Sequence, residues 1–175
     1  MNKTAIYWFR NNQRIHDNPS LNQACEENEY LIYCFVLENR WSQNHKLGFP
    51  LLGKHREEFL KHSIWELGQK IEKAGGKLIL LKGDPTKCLV QLAQSYDISK
   101  IYSSKKTGSY EIQQEDAIKS ALNAKFLEDQ SLFQKNYIIE KLGLQPRSFS
   151  HFRKKVEKQW PLRKLFGEAP LRPSP

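Results

Sequence analysis

Three stretches of the sequence carry residue types that could do chemistry. The first is Arg10-Asn11-Asn12-Gln13-Arg14-Ile15-His16-Asp17, which follows directly on an apolar run. Guanidinium and amide groups packed this densely bind anions or polar rings. Paired with local acids, the same groups make an ordinary solvated loop, and the residues by themselves fit both. The second stretch is Lys105-Lys106-Thr107-Gly108-Ser109. It opens a helix, where free backbone N–H groups attract anions, yet a plain basic surface loop fits at least as well. The third is His55, Glu58 and His62, at the three- and four-residue spacing of metal ligands on one helix face. That face lies about 160° from the helix's apolar stripe, counting about 100° per residue. The trio is therefore read as solvated, and no metal site is expected.

Other chemistries lack their signatures. The first strand-to-helix turn has no glycine, so the phosphate fingerprint of a dinucleotide-binding domain is missing, and there is no Walker A sequence. Ser103-x-x-Lys106 and Lys106-Thr107-Gly108 look like two penicillin-binding motifs but share one lysine, whereas that chemistry needs separate segments. No spacing identifies a nucleophile with its base, so no catalytic residue is assigned. Cys25, Cys34 and Cys88 are odd in number and far apart, which argues against disulfides or zinc.

The elements that must position these residues follow from periodicity. Apolar runs at Ala5–Phe9, Tyr30–Leu37, Lys77–Lys82 and Lys100–Ser104 read as buried strands, with Lys125–Leu127 as a fifth and Ser131–Phe133 as a short piece after it. Helices are expected from Pro19 to Asn28, Lys54 to Ala74, Pro85 to Tyr96 and Tyr110 to Leu122. Asn18-Pro19 and Asp84-Pro85 are N-cap and first-turn pairs. Leu60, Ile64, Leu67 and Ile71 form one apolar stripe on the second helix. Alternation of this kind gives an α/β fold: an open five-stranded parallel sheet with helices on both faces, Rossmann-like but without the Gly-rich loop. In such sheets ligands sit outside the strands' carboxyl ends, where both polar loops fall.

Residues 1–133 are expected to form this domain. Residues 134–175 read as a basic linker or tail punctuated by Pro146, Pro161, Pro170, Pro173 and Pro175, with one helix at Ser150–Lys158. The formal net charge of +9 permits weak, non-specific contact with DNA. The cluster from Arg147 to Lys164 is read first as a solvated basic face. No run of apolar residues is long enough to span a bilayer, and the chain reads as cytoplasmic. Phe149, Phe152, Val156, Trp160, Leu162, Leu165 and Phe166 are too many for a solvated linker, so the tail is expected to fold back on the core or to mediate self-association. Deletion from about Arg147 onward is expected to preserve the sheet.

These residues carry a resemblance. Trp8-Phe9-Arg10-x-x-x-Arg14-x-x-Asp17-Asn18-x-x-Leu21 resembles the opening of the photolyase/cryptochrome family. Gly53-x-x-Arg56-x-x-Phe59-Leu60, Gly75-x-x-Leu78 and Gly83-x-Pro85 are similar to later family landmarks in the same order. Gly48-Phe49-Pro50 and Phe152-Arg153-Lys154-Lys155-Val156-Glu157 look most like the DASH cryptochrome branch. The resemblance implies the amino-terminal antenna domain of a blue-light, flavin-dependent DNA photolyase or photosensor. FAD would belong to a separate all-helical domain, the partner in cis or in trans, so this chain alone would not repair DNA. It also implies an antenna or anion pocket whose candidates are Arg10, Asn12, Glu38, Arg56, Lys105, Lys106, Thr107 and Gly108. In DASH relatives the loop after the fourth strand resembles Lys-Glu-Thr, and its acid helps hold a folate. Here Lys106 replaces that acid, and a cation cannot accept hydrogen bonds from pterin donors. The departure disfavours a folate antenna and leaves a flavin- or deazaflavin-type one. The alternative function is a stand-alone nucleotide-binding or protein-interaction module.

Overall fold

The computed structural model describes residues 3–129, 131, 138–140, 148–157 and 164–175. Its strands are β1 (Thr4–Phe9), β2 (Tyr30–Glu38), β3 (Leu78–Gly83), β4 (Lys100–Ser104) and β5 (Asn123–Leu127), all parallel, in the order β3-β2-β1-β4-β5. The connecting helices are α1 (Pro19–Glu27), α2 (Lys54–Lys73), α3 (Pro85–Ser95) and α4 (Ser109–Ala121). The α/β architecture expected from the alternation is the one observed. β5 begins at Asn123, two residues before the apolar run that announced it, because Asn123 and Ala124 pair with Lys100 and Ile101.

Side-chain alternation along β1 divides the core. Ala5, Tyr7 and Phe9 face α1 and α2, where Leu21, Cys25, Ile64, Leu67 and Ile71 meet them. Ile6 and Trp8 face α3 and α4, packing with Leu89, Leu92, Ala93 and Ile118. The caps form as the sequence requires. Asn18 Oδ1 accepts from Leu21 N at 3.1 Å, and Asp84 Oδ1 from Lys87 N at 3.0 Å. Gly76, after α2, has no room for a side chain: a Cβ there would stand 2.8 Å from the Tyr33 ring.

Two compact units divide the chain, one of residues 1–129 with 166–175, the other of residues 130–165. The last ten residues, which the sequence suggests are tail, are thus part of the sheet unit. Ala169 N donates to Ile15 O at 2.9 Å, and Leu31 N donates to Pro173 O at 3.1 Å. Arg172 N donates to Tyr33 Oη at 2.8 Å, and Ala169 is buried in the core. These contacts set residues 166–175 as a strap against the sheet unit, where the sequence reading has a tail. Periodicity could not reveal it, because a proline-rich segment packs without a repeat.

In the other unit, α5 (Phe149–Val156) is capped by Ser148 Oγ, which accepts from His151 N at 3.2 Å. It buries Val156, while Phe149 remains 75% exposed. Leu132, Phe133, Trp160 and Leu162 lie outside the described residues. Among the described residues no helix is long and apolar enough to cross a membrane.

Candidate functional site at the carboxyl edge

The chain runs outward through β1, β2 and β3, then returns to lay β4 against β1. In open sheets of this kind such a reversal marks where ligands bind, and here it falls at the carboxyl ends of β1 and β4. The two polar loops singled out by composition meet there.

The lower layer of the site is buried and polar. Arg10 lies between β1 and α4. Its Nη1 donates to Glu115 Oε1 at 2.5 Å and to Ser104 O at 3.1 Å, and its Nη2 donates to Gln114 Oε1 at 3.1 Å. The guanidinium also lies 4.6 Å over the Trp8 ring. Burial lowers the Arg10 pKa, and Glu115 opposes that shift. Lys106 N donates to the same Glu115 Oε1 at 2.8 Å, so one carboxylate ties β1 to the loop after β4. Asn12 Nδ2 donates to Asp129 Oδ2 at 2.8 Å, and Ser104 Oγ donates to that oxygen at 2.5 Å. The Tyr7 hydroxyl joins this network through Asn18 and Ser20, and burial pushes its pKa up to about 12.

Lys106 is unusual within this layer. Its side chain is buried, and its Nζ has no hydrogen-bond partner among the described residues; neither has Asp129 Oδ1. Desolvation lowers the Lys106 pKa to about 8, while the nearby Asp129 charge resists the fall.

Above this layer lies an accessible rim. Arg40, just past β2, stacks its guanidinium 3.7 Å from the Tyr110 ring centroid. Its Nε pairs with Glu38 Oε2 at 3.0 Å and its Nη2 with Glu111 Oε1 at 3.3 Å. Tyr110 Oη donates to Glu38 Oε2 at 3.1 Å, and burial together with Glu38 raises its pKa. Gly108 leaves room for the Glu111 carboxylate to fold back over the first turn of α4.

The eight residues singled out from the sequence therefore separate. Arg10, Asn12 and Lys106 lie in the buried layer, and Glu38 belongs to the rim. Lys105 is half-buried, and Thr107 and Gly108 are exposed on the loop leading into α4. Arg56 is exposed on the first turn of α2, with no hydrogen bond or ion pair to the rim. His55, Glu58 and His62 are exposed on α2, as the face geometry requires. Sequence reasoning missed Glu115, Gln114, Asp129, Arg40, Tyr110 and Glu111. The four-residue spacing of Glu111 and Glu115, one turn into the helix after a candidate loop, was the available signal.

The family model for DNA photolyase matches residues 5–173. The chain is 32% identical over 176 residues to a cryptochrome DASH of Idiomarina loihiensis, covering 99% of this chain and 38% of that protein. It is 28% identical over 151 residues to the (6-4)DNA photolyase of Arabidopsis thaliana, covering 81% of this chain and 27% of that protein. The crystal structure of the Synechocystis sp. PCC6803 cryptochrome superposes with a TM-score of 0.88 at 27% identity, covering 98% of this chain and 37% of that one. The chain thus spans less than two fifths of the length of these relatives.

Proposed function

The chain belongs to the DNA photolyase family, and from that premise we propose that it is the family's antenna and docking domain, able to hold a flat chromophore at its carboxyl edge but not to repair DNA alone. The observation that carries this reading is the rim: Arg40 stacked on Tyr110 between the carboxylates of Glu38 and Glu111, above a layer in which Arg10 is already engaged by Glu115, Gln114 and Ser104.

The rim fits a heteroaromatic ring. Tyr110 and Arg40 offer planar faces, and stacking on such faces tolerates varied rings. Glu38 and Glu111 accept hydrogen bonds, while Arg40 and the Tyr110 hydroxyl donate them. The pyrimidine edge of a flavin or deazaflavin needs one acceptor and two donors, which this set supplies. The edge of a pterin carries more donors and needs further acceptors. The acid that would add one at position 106 is replaced by Lys106, whose ammonium is buried below the rim. A bound antenna chromophore absorbs light and passes the excitation to a flavin. The residues here orient the ring, and the buried layer fixes the rim that holds it.

FAD chemistry and lesion recognition are assigned to an all-helical partner, in cis or in trans. A hydrogen-bonded turn at residues 43–51 presents Leu47, 78% exposed, and Phe49, 51% exposed, as docking contacts for it. DNA contact by this chain rests on its +9 charge and falls with salt.

Titration of the full chain with flavin mononucleotide, followed by flavin fluorescence, tests the proposal. Quenching is expected, with an affinity weakened about tenfold by Tyr110→Ala. Methenyltetrahydrofolate is expected to bind more weakly. Binding of ATP with no response to either chromophore would instead support a stand-alone nucleotide module.

A further inference from the structure

We propose that Lys106 is a carbamylation site: its side-chain amine takes up carbon dioxide, and Asp129 receives the proton that the amine must first lose. The step takes place in the buried layer, so it does not depend on what the rim binds.

Solvation sets Lys106 apart. It is the only buried lysine among the described residues. Lys100 and Lys125 hold Glu27 at the other end of the sheet, and Lys105 pairs with Glu128 at 3.7 Å. An ammonium carries three donors. The Lys106 Nζ is closed off from bulk water, and no hydrogen-bond partner meets it among the described residues. Buried donors left unmet cost free energy, and more so when they are charged. Loss of a proton relieves both penalties. Burial accordingly lowers the Lys106 pKa to about 8, so a nucleophilic neutral amine is available near neutral pH.

A second orphan belongs to the same layer. Asp129 is buried, and its Oδ2 accepts from Asn12 and Ser104, whereas its Oδ1 has no partner. Of the charges around Lys106, Asp129 acts on it most strongly, ahead of Arg10, Glu115 and Glu111. A free carboxylate oxygen thus stands ready to take the ammonium proton.

The step balances without an oxidant or a reductant. One ammonium proton moves to Asp129 Oδ1. The nitrogen lone pair then forms a bond to the carbon of carbon dioxide, and one carbon–oxygen π pair moves onto oxygen. A further proton leaves the nitrogen for bulk water. The product is a carbamate anion on Lys106 beside a neutral Asp129, whose O–H is a donor for it. Arg10 reverses its effect: its charge disfavours the ammonium and favours the carbamate. The backbone stays anchored, since Lys106 N donates to Glu115 Oε1 at 2.8 Å. The flanking loop is open to water, with Lys105 half-buried and Thr107 and Gly108 exposed. Local opening of that loop admits a small uncharged molecule and makes room for the added carboxylate.

The test equilibrates the full chain with isotopically labelled bicarbonate at about pH 8, close to the Lys106 pKa. Carbon NMR reads the carbamate. Alkylation with a trialkyloxonium salt traps it as an ester, which peptide mass spectrometry locates. A carbamate resonance and a trapped ester on Lys106 are expected, and Lys106→Met should lose both. Asp129→Asn keeps a carbonyl oxygen for Asn12 and Ser104, so far-UV circular dichroism should stay unchanged while incorporation slows about a hundredfold. Absence of the resonance in the parent would overturn the proposal. So would a resonance that persists in Lys106→Met, or an ester found only at the amino terminus or on another lysine. Incorporation at the parent's rate in Asp129→Asn would overturn the part given to Asp129.

Discussion

The two ends of the sheet each hold a carboxylate among cations, and they differ in their access to water. At the carboxyl end, Arg10 and Glu115 have side chains only 6% and 2% exposed. At the amino end, Glu27 accepts from Lys100 at 2.7 Å, from Lys125 at 2.9 Å and from the Tyr102 hydroxyl at 2.5 Å, with its own side chain 29% exposed. Removing one partner from a buried pair strands a charge in a poor solvent, at a cost of about 3–5 kcal/mol. At the solvent border, water and salt replace a lost partner, and such pairs contribute about 1 kcal/mol or less. The carboxyl end therefore has a rigid foundation beneath an exposed rim. The amino end has an adjustable tie between α1, β4 and β5. Catalogues of ion pairs would rank the two ends alike; burial separates them.

The strap touches both ends, so removing it is the most severe way to break the comparison. Deletion of residues 166–175 takes away the Ala169–Ile15 bond beside the β1 loop, the bonds of Arg172 and Pro173 to Tyr33 and Leu31, and the buried Ala169 itself. At about 1 kcal/mol per hydrogen bond, plus the apolar contact, stability should fall by roughly 5 kcal/mol. Urea unfolding should show an early or non-cooperative transition. A midpoint equal to that of the intact chain would return these residues to the status of a tail.

Next comes the foundation alone. Glu115→Ala leaves Arg10 buried without its carboxylate and should cost about 3–5 kcal/mol. The double variant Arg10→Met with Glu115→Leu should recover most of that loss, because the charge penalty disappears from both sides. If the double variant is no more stable than the single one, packing and not charge governs this end.

Lys106 sharpens the comparison through pH. Its folded pKa, about 8, lies below the ordinary value of 10.5. Between these values the unfolded chain binds more protons than the folded one, so this group makes stability rise with pH across that window. Lys106→Met should be more stable than the parent by about 1–3 kcal/mol at pH 7, and the gap should narrow toward pH 10. The difference between the two proteins is the quantity to follow, because Tyr7, whose folded pKa is raised to about 12, loses stability above pH 10 in both. A gap independent of pH would place the Lys106 ammonium in water.

The smallest effect is expected at the amino end. The donors around Glu27 hold its pKa far below the usual carboxylate range, so its contribution is present at neutral pH and is lost as pH falls into the acid range. Given its exposure, Glu27→Gln should cost less than about 1 kcal/mol, and high salt should erase most of that. A salt-independent loss approaching that of Glu115→Ala would dissolve the distinction between the ends.

The sequence alone determined the layers and the order of elements. Ala5–Phe9, Tyr30–Leu37 and Leu78–Leu81 are continuous apolar runs, and Asn18-Pro19 and Asp84-Pro85 are capped starts. Each signal acts over a few residues, within the reach of backbone sterics and side-chain periodicity. The family resemblance was legible for the same reason, since its landmarks are local motifs in a fixed order. The tertiary structure decided which of the polar residues could meet a ligand. Arg10 and Glu115 are 105 residues apart, so nothing near Arg10 announces that its guanidinium is already engaged. Lys106 and Lys105 are neighbours with one side-chain chemistry, yet one is buried near Asp129 and Arg10 and the other is half-exposed beside Glu128. The strap has no period to read. Burial of a polar group is set by everything that surrounds it, and those surroundings come from distant parts of the chain that only folding brings together.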